Sequence, residues 1–384
     1  MVRDVFRAQM PVAPSHAYFD HAAVSPLSEP AAKRLRWYAD QASTSGDKYW
    51  LDWAMIVSRL RTAACQLLGA NKIEVALVPN TTVGINLVAE GFPWKVGDNL
   101  VIPDNEFPSN LLPWKGLQAR GVEVRSLAVP DDGAINIERL TELIDQRTRL
   151  VSLSWVGFAS GFRSDLPKVA EAVHRRGVLL FVDAIQGLGA FPINVQETPI
   201  DFLAADGHKW MLGPEGAGIL YVREEHLNLL EPKMLGWNSL ADGGFDPKST
   251  TLRSDAARYE GGSYNMAGML ALEASLSMLL ELGCNHANSP VAAAILENVH
   301  SISERLEQRG FEVLVPSEPH RSGILGTRWP GADLVAARKH CIGQNVILSV
   351  RANRIRISTH AYNNSEDIER LINALTEART RHTI

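Results

Sequence analysis

From about Ala31 onward, helical periodicity alternates with short apolar runs, the pattern of helices layered against a sheet. The runs Val75–Val78, Asn99–Ile102, Val122–Leu127, Leu150–Ser154, Val178–Val182, Phe202–Ala205 and Ile219–Val222 predict strands. Most are continuous in Val, Leu and Ile rather than alternating, as strands are when helices cover both faces. Asn265–Leu282 is apolar on more than one face and predicts a buried connecting helix. After Asn288 the character changes. An amphipathic helix to about Arg309 leads into strands Phe311–Val315 and Ile324–Trp329, a helix over Leu334–Cys341, and strands Val346–Arg351 and Arg354–Ser358. Asn364 is a natural N-cap for a last helix, Ser365–Arg379, whose first turn carries Glu366 and Asp367.

Composition changes this picture little. With 384 residues the chain exceeds one small core, and 46% hydrophobic against 21% charged residues is ordinary for globular proteins, so a large domain with a smaller one is expected. A net charge of −5 offers no electrostatic basis for partnership with nucleic acid or an anionic membrane. No apolar run is long enough to span a bilayer, and Met1–His16 has charges and prolines instead of an apolar signal core. A cytoplasmic location is therefore expected. Cys65, Cys284 and Cys341 show no CxxC spacing and no histidine at ligand spacing, so neither a disulfide framework nor a metal site is read.

Three places carry candidate chemistry. Ala205-Asp206-Gly207-His208-Lys209-Trp210 ends a strand, and Gly213-Pro214-Glu215-Gly216-Ala217-Gly218 follows. A lysine just past a strand's carboxyl end sits where open α/β sheets bind ligands, and a desolvated amine can condense with a carbonyl cofactor. Alone, it reads more readily as an exposed loop lysine. Asp183 closes the apolar strand before Ala184-Ile185-Gln186, where a carboxylate needs a cation or several donors. A protonated ring nitrogen is such a partner; capping of the next turn is the plainer reading. Asn80-Thr81-Thr82 opens the helix Val83–Glu90, where free N–H groups and hydroxyls suit a phosphate, or simply cap the helix.

In this order the motifs resemble the class V aminotransferase family, which includes cysteine desulfurases, selenocysteine lyases and isopenicillin N epimerases. The matching pieces are Asn80-Thr81-Thr82-Val83-Gly84-Ile85-Asn86, Asn105-Glu106-Phe107-Pro108-Ser109-Asn110, Val182-Asp183-Ala184-Ile185-Gln186, Gly207-His208-Lys209 and Arg356-Ile357-Ser358. The resemblance implies the pyridoxal 5'-phosphate (PLP) transferase fold type I, an α/β fold with a mostly parallel central sheet, helices on both faces and a smaller α+β C-terminal domain. The large domain would cover residues 17–285 and the small one 286–384, with segment 1–30 packing near the site. It implies that Lys209 forms the aldimine and carries the proton at Cα. Asp183 would pair with the pyridinium nitrogen, and Gln186 with the phenolic oxygen. Thr81, Thr82 and His208 would bind phosphate. Ser263 would reach the partner subunit's phosphate in a homodimer, and Arg356 would clamp the carboxylate of a small amino-acid substrate. His21 and the aromatic residues Tyr18, Tyr49, Trp50 and Trp53 are candidates for lining the entrance.

The departures are as informative. Phe107 stands where the family carries a histidine stacked on the cofactor; stacking survives, but a titratable group above the ring is lost. Phe158 replaces an asparagine that contacts substrate or cofactor. Asp206 replaces a serine, and its carboxylate is expected to turn away from the phosphate. Arg351-Ala352-Asn353-Arg354 joins two strands directly, with no loop and no nucleophilic cysteine, which disfavours a persulfide-forming desulfurase. Cys341 reads as a buried structural thiol. The expected activity is epimerase- or lyase-type chemistry at Cα or Cβ. Alternatives are an aminotransferase, a desulfurase-like enzyme without the usual cysteine, and a catalytically degenerate binding protein of this fold. Retention of Lys209, Asp183 and Arg356 argues against the last. A nucleotide-binding protein is set aside, because Gly187-Leu188-Gly189 lacks the third glycine of a dinucleotide turn.

Overall fold

The structure, a computed structural model, describes residues 2–243, 248 and 250–382. Seven strands form its large sheet: β1 Val75–Val78, β2 Asn99–Pro103, β3 Glu123–Leu127, β4 Thr148–Ser154, β5 Leu179–Asp183, β6 Phe202–Asp206 and β7 Gly218–Val222. Their order is β1-β7-β6-β5-β4-β2-β3. Only β7 runs against its neighbours, so β1, β5 and β6 end on the same edge. Alternate residues feed two cores. Val75 and Leu77 of β1 join one, with Leu60 and Leu67 of α2 (Trp50–Leu68) and Leu272 of α5 (Met266–Glu281). Ala76 and Val78 join the other, with Ile85 and Val88 of α3 (Thr81–Gly91). Helices thus cover both faces, which is why the strands read as continuous apolar runs. Between these helices in the chain lies α4 (Leu166–His174), and ahead of them α1 (Glu29–Ser45) starts at the capping residue Ser28.

The second layer is a four-stranded antiparallel sheet of β8 Glu312–Leu314, β9 Ile324–Arg328, β10 Ser349–Arg351 and β11 Arg354–Ser358, ordered β10-β11-β9-β8. It packs on α6 (Pro290–Gln308), α7 (Leu334–Gly343) and α8 (Ser365–His382). Ile355 and Ile357 of β11 enter this third core with Leu371 and Leu375. Arg354, Arg356 and Ser358 therefore lie on the opposite face. Among the described residues no helix is long and apolar enough to cross a membrane.

One expected strand is two. Val346–Ile347 pairs in parallel with Ala17–Tyr18, whereas Ser349–Arg351 joins the four-stranded sheet. The apolar pattern is continuous across both, and only the N-terminal segment, far away in sequence, supplies the first piece with its own partner. An isolated bridge from Asp20 to Ser358 continues that attachment.

The β10–β11 connection is a two-residue turn in which Ala352 and Asn353 have φ of 47° and 53°. Consecutive positive φ values are what a tight type I′ hairpin demands; asparagine tolerates them and alanine does not. Ala352→Gly should stabilise the protein by about 0.5–1 kcal/mol after the glycine's own entropy loss. Urea denaturation checks this, and a loss of stability would show that the turn is not strained.

Candidate active site

The common edge of β1, β5 and β6 brings the three sequence motifs together. Asn80 caps α3 by accepting from Val83 N at 2.9 Å, so the helix begins beside the sheet edge. Helix and sheet approach closely there, since a Cβ on Gly84 would lie 2.8 Å from Ala204 Cβ of β6. The Asp206 amide donates to Thr81 Oγ1 at 2.8 Å, and Thr82 Oγ1 donates to Ser109 Oγ at 2.8 Å. These residues open into a cavity of about 290 Å³ that also holds Asp183, His208 and Lys209.

Lys209 is 8% exposed. Burial pulls its amine down to about 8, against the upward push of Asp183, and Arg356 lowers it further. Asp183 is 3% exposed, and burial pushes its carboxyl up to about 6 despite the Ile185 amide at 3.1 Å and the charge of Lys209. Each charged form suffers in the low-dielectric pocket, and neither is neutralised by a direct contact with the other.

Glu106 is a residue to which the sequence assigned no role. It is buried, accepts from the amide and hydroxyl of Ser154, and is pushed up to about 7 by burial, with the Asp183 charge adding to the rise. Its only sequence signal is a carboxylate beside Phe107, inside a motif where other residues drew attention.

Phe107 and Phe158 also line the cavity, in edge-to-face contact at 5.3 Å between ring centroids. The Lys209 amine lies 5.6 Å from the Phe107 centroid. The two aromatic departures from the family pattern are thus halves of one contact. Gln186 is fixed from both sides, donating to the Ala22 carbonyl and accepting from Trp210 Nε1, each at 2.9 Å.

Arg356 reaches the cavity from the small sheet but is already engaged. Its Nη2 lies 3.3 Å from Asp20 Oδ1, Nη1 donates to the Phe158 carbonyl at 2.9 Å, and Nε to Ser349 Oγ at 3.1 Å. Arg351, which the sequence showed only as part of the connection between two strands, lines the same cavity.

Other expectations need correction. Asp206 contributes to the cavity wall, with Oδ2 2.9 Å from His208 Nδ1 and Oδ1 enclosed by protein without a hydrogen-bond partner. His21 is fully buried behind the cavity, between the Ser358 carbonyl at 3.1 Å and the Tyr362 hydroxyl at 2.9 Å, and burial pulls it down to about 4. Ala22, Ala23 and Val24 line the cavity instead, whereas Tyr18, Tyr49, Trp50 and Trp53 do not. Ser263, expected to act at the partner subunit's phosphate, is exposed on its own protomer and borders a separate cavity with Met234 and Tyr259.

The family model for aminotransferase class-V matches residues 17–371. A probable cysteine desulfurase of Methanothermobacter thermautotrophicus is 29% identical, over 97% of this chain and 96% of that one. The apo structure of a cysteine desulfurase from Thermococcus onnurineus NA1 superposes with a TM-score of 0.89 at 23% identity, covering 99% of both chains. The cystine C-S lyase C-DES, in complex with cysteine persulfide, does so with a TM-score of 0.86 at 22% identity, over 96% of this chain and 99% of that one. With the lysine, the strand-end aspartate and the helix-capping turn gathered at one sheet edge and the family match running through nearly the whole chain, the protein belongs to the aminotransferase class-V family of PLP-dependent enzymes.

Proposed function

We propose that this enzyme breaks a bond at Cα or Cβ of a small amino acid by lyase-type chemistry, with epimerisation as the alternative outcome. The observation that carries the reading is a desolvated amine and a desolvated carboxylate opening into one cavity that, among the described residues, no cysteine lines.

The residues fit the cofactor. Among the described residues the Asp183 carboxylate accepts one hydrogen bond, from the Ile185 amide, and a protonated ring nitrogen would supply the partner that its burial calls for. The α3 N-terminus with Thr81, Thr82 and His208 would take the phosphate. Gln186 would reach the phenolic oxygen, Phe107 would lie against the ring, and Ser263 would come from the other subunit of a homodimer. When bound, the cofactor supplies an electron sink for charge developing at Cα.

Lys209 takes the proton from Cα and returns it, helped by burial that brings its amine towards neutrality. Arg356 holds the substrate carboxylate by exchanging the neutral Phe158 carbonyl for a charged acceptor, while Asp20 keeps the guanidinium oriented. The Phe107–Phe158 pair places no proton donor on its side of the cavity. That favours a leaving group stable as its own anion, such as a thiolate.

A protein-bound persulfide is the weaker reading. Cys65, Cys284 and Cys341 are buried, and burial raises all three thiols, Cys65 to about 11 and Cys341 to about 12. Names of relatives and structural neighbours make sulfur-containing amino acids the first substrates to test.

Incubation with L-cysteine, L-cystine and other L- and D-amino acids should yield a 2-oxo acid and ammonia from a β-substituted substrate, or the inverted enantiomer if epimerisation prevails. Alanine with sulfur transfer would instead mark a desulfurase. Lys209→Ala should abolish turnover while preserving the fold; full activity in that variant would remove Lys209 from the mechanism.

Arg356→Ala should lower kcat/KM by about 2–5 kcal/mol, chiefly through KM, because it leaves charge at the site unpaired. An unchanged KM would place the carboxylate site elsewhere. Because the Lys209 amine titrates near 8, PLP uptake by cofactor-free protein should accelerate about tenfold per pH unit below that value and level off above it. Stopped-flow absorbance checks the profile, and a pH-independent rate would contradict the role of the free amine.

A further inference from the structure

A second cavity, of about 390 Å³, lies on the other side of the 157–161 loop from Lys209. Arg354, Arg328, Ser160, Asp131 and the β8 segment through Val315 contribute to its walls. Arg354 is 7% exposed, yet among the described residues it forms no ion pair, and its hydrogen bonding is limited to Nε reaching the Ala352 carbonyl at 3.4 Å. The other buried arginine among the described residues, Arg356, meets Asp20. Burial disfavours the Arg354 charge and the Asp131 carboxylate only partly offsets this, while both Nη groups have no hydrogen-bond partner among the described residues and can donate to whatever fills the cavity.

We propose that this cavity binds a small monocarboxylate with an apolar tail, its carboxylate on Arg354 and its tail against Val313 and Val315. The charges select a monoanion. Arg328 pairs with Asp131 and with Glu312 at 3.2 Å, which leaves the Arg354 Nη groups as the guanidinium donors of the wall without a partner, beside carboxylates that disfavour any multiply charged ligand. Asp132 also faces the cavity and repels a second negative charge. The Ser160 hydroxyl accepts from the Phe162 amide at 3.2 Å and keeps its own proton available for a carboxylate oxygen. Valine, leucine and proline side chains supply the apolar remainder of the wall.

The two cavities share β11 and the 157–161 loop as walls. Arg354 and Arg356 are alternate residues on one face of β11, one serving each cavity. The loop between them presents the Phe158 carbonyl to Arg356 and Ser160 to the second cavity. It is closed by the Gly161 amide on the Gly157 carbonyl at 2.9 Å. Gly161, at φ +72°, packs so closely that a Cβ there would meet the Ile324 carbonyl oxygen at 2.3 Å.

Isothermal titration of the full-length, cofactor-loaded protein with hexanoate, butyrate and inorganic phosphate tests this. Hexanoate should bind saturably and more tightly than butyrate, and phosphate should not compete. Arg354→Gln, which removes the charge, and Val315→Trp, which fills the space, should each weaken hexanoate at least about tenfold. Both should keep the cofactor absorbance band and an unchanged melting temperature. Absence of saturable hexanoate binding to the wild-type protein, equal binding to folded variants, or preference for phosphate would each overturn the proposal.

Discussion

Holding an amine and a carboxylate out of water a short distance apart is the constraint around which the large sheet is organised. Neither Lys209 nor Asp183 could sit at the end of an apolar strand unless the strands beside it ended at the same level. The parallel pairing of β4, β5 and β6 supplies that alignment, and the two flanking cores lock it by burying alternate residues of each strand on opposite sides. Burial then does chemical work: the cost of charging each group in the interior moves amine and carboxyl towards one another on the pH scale. Local chemistry is therefore a property of strand register, fixed by hydrophobic contacts far from the cavity.

Much of this was legible in the chain itself. Val75–Val78 and Arg354–Ser358 appear with the limits expected, because each is an apolar or alternating run bounded by turn residues. Lys209, Asp183 and Thr81–Thr82 were recognisable from their places at element boundaries, and the cavity does gather them. What stayed hidden depends on contacts between distant segments. The break at Leu348 is invisible until Ala17–Tyr18 comes alongside. His21 looks like a site residue in sequence, yet Ser358 and Tyr362, more than 300 positions away, enclose it. The partnership of Phe107 with Phe158 likewise has no local signature, since each reads separately as a lost polar group.

Arg356 shows how a residue can be both structural and available. Its three contacts are to one carboxylate, one hydroxyl and one carbonyl, so it is oriented before any ligand arrives. Pre-orientation removes part of the entropy loss on binding, and the contact with the neutral carbonyl is the one a ligand can displace at least cost. Asp206 and His208 are likewise neighbours within the same cavity wall, with Oδ2 2.9 Å from Nδ1.

The two-residue turn at Ala352–Asn353 also bears on timing. Arg351, on its leading strand, borders the cavity, so this rim is made of paired strands and a minimal connection. Flaps that cover and uncover a reaction centre need several residues able to exchange backbone conformations, and they commonly set the pace of turnover on the microsecond-to-millisecond scale. A hairpin with no spare residues has no such excursion to make.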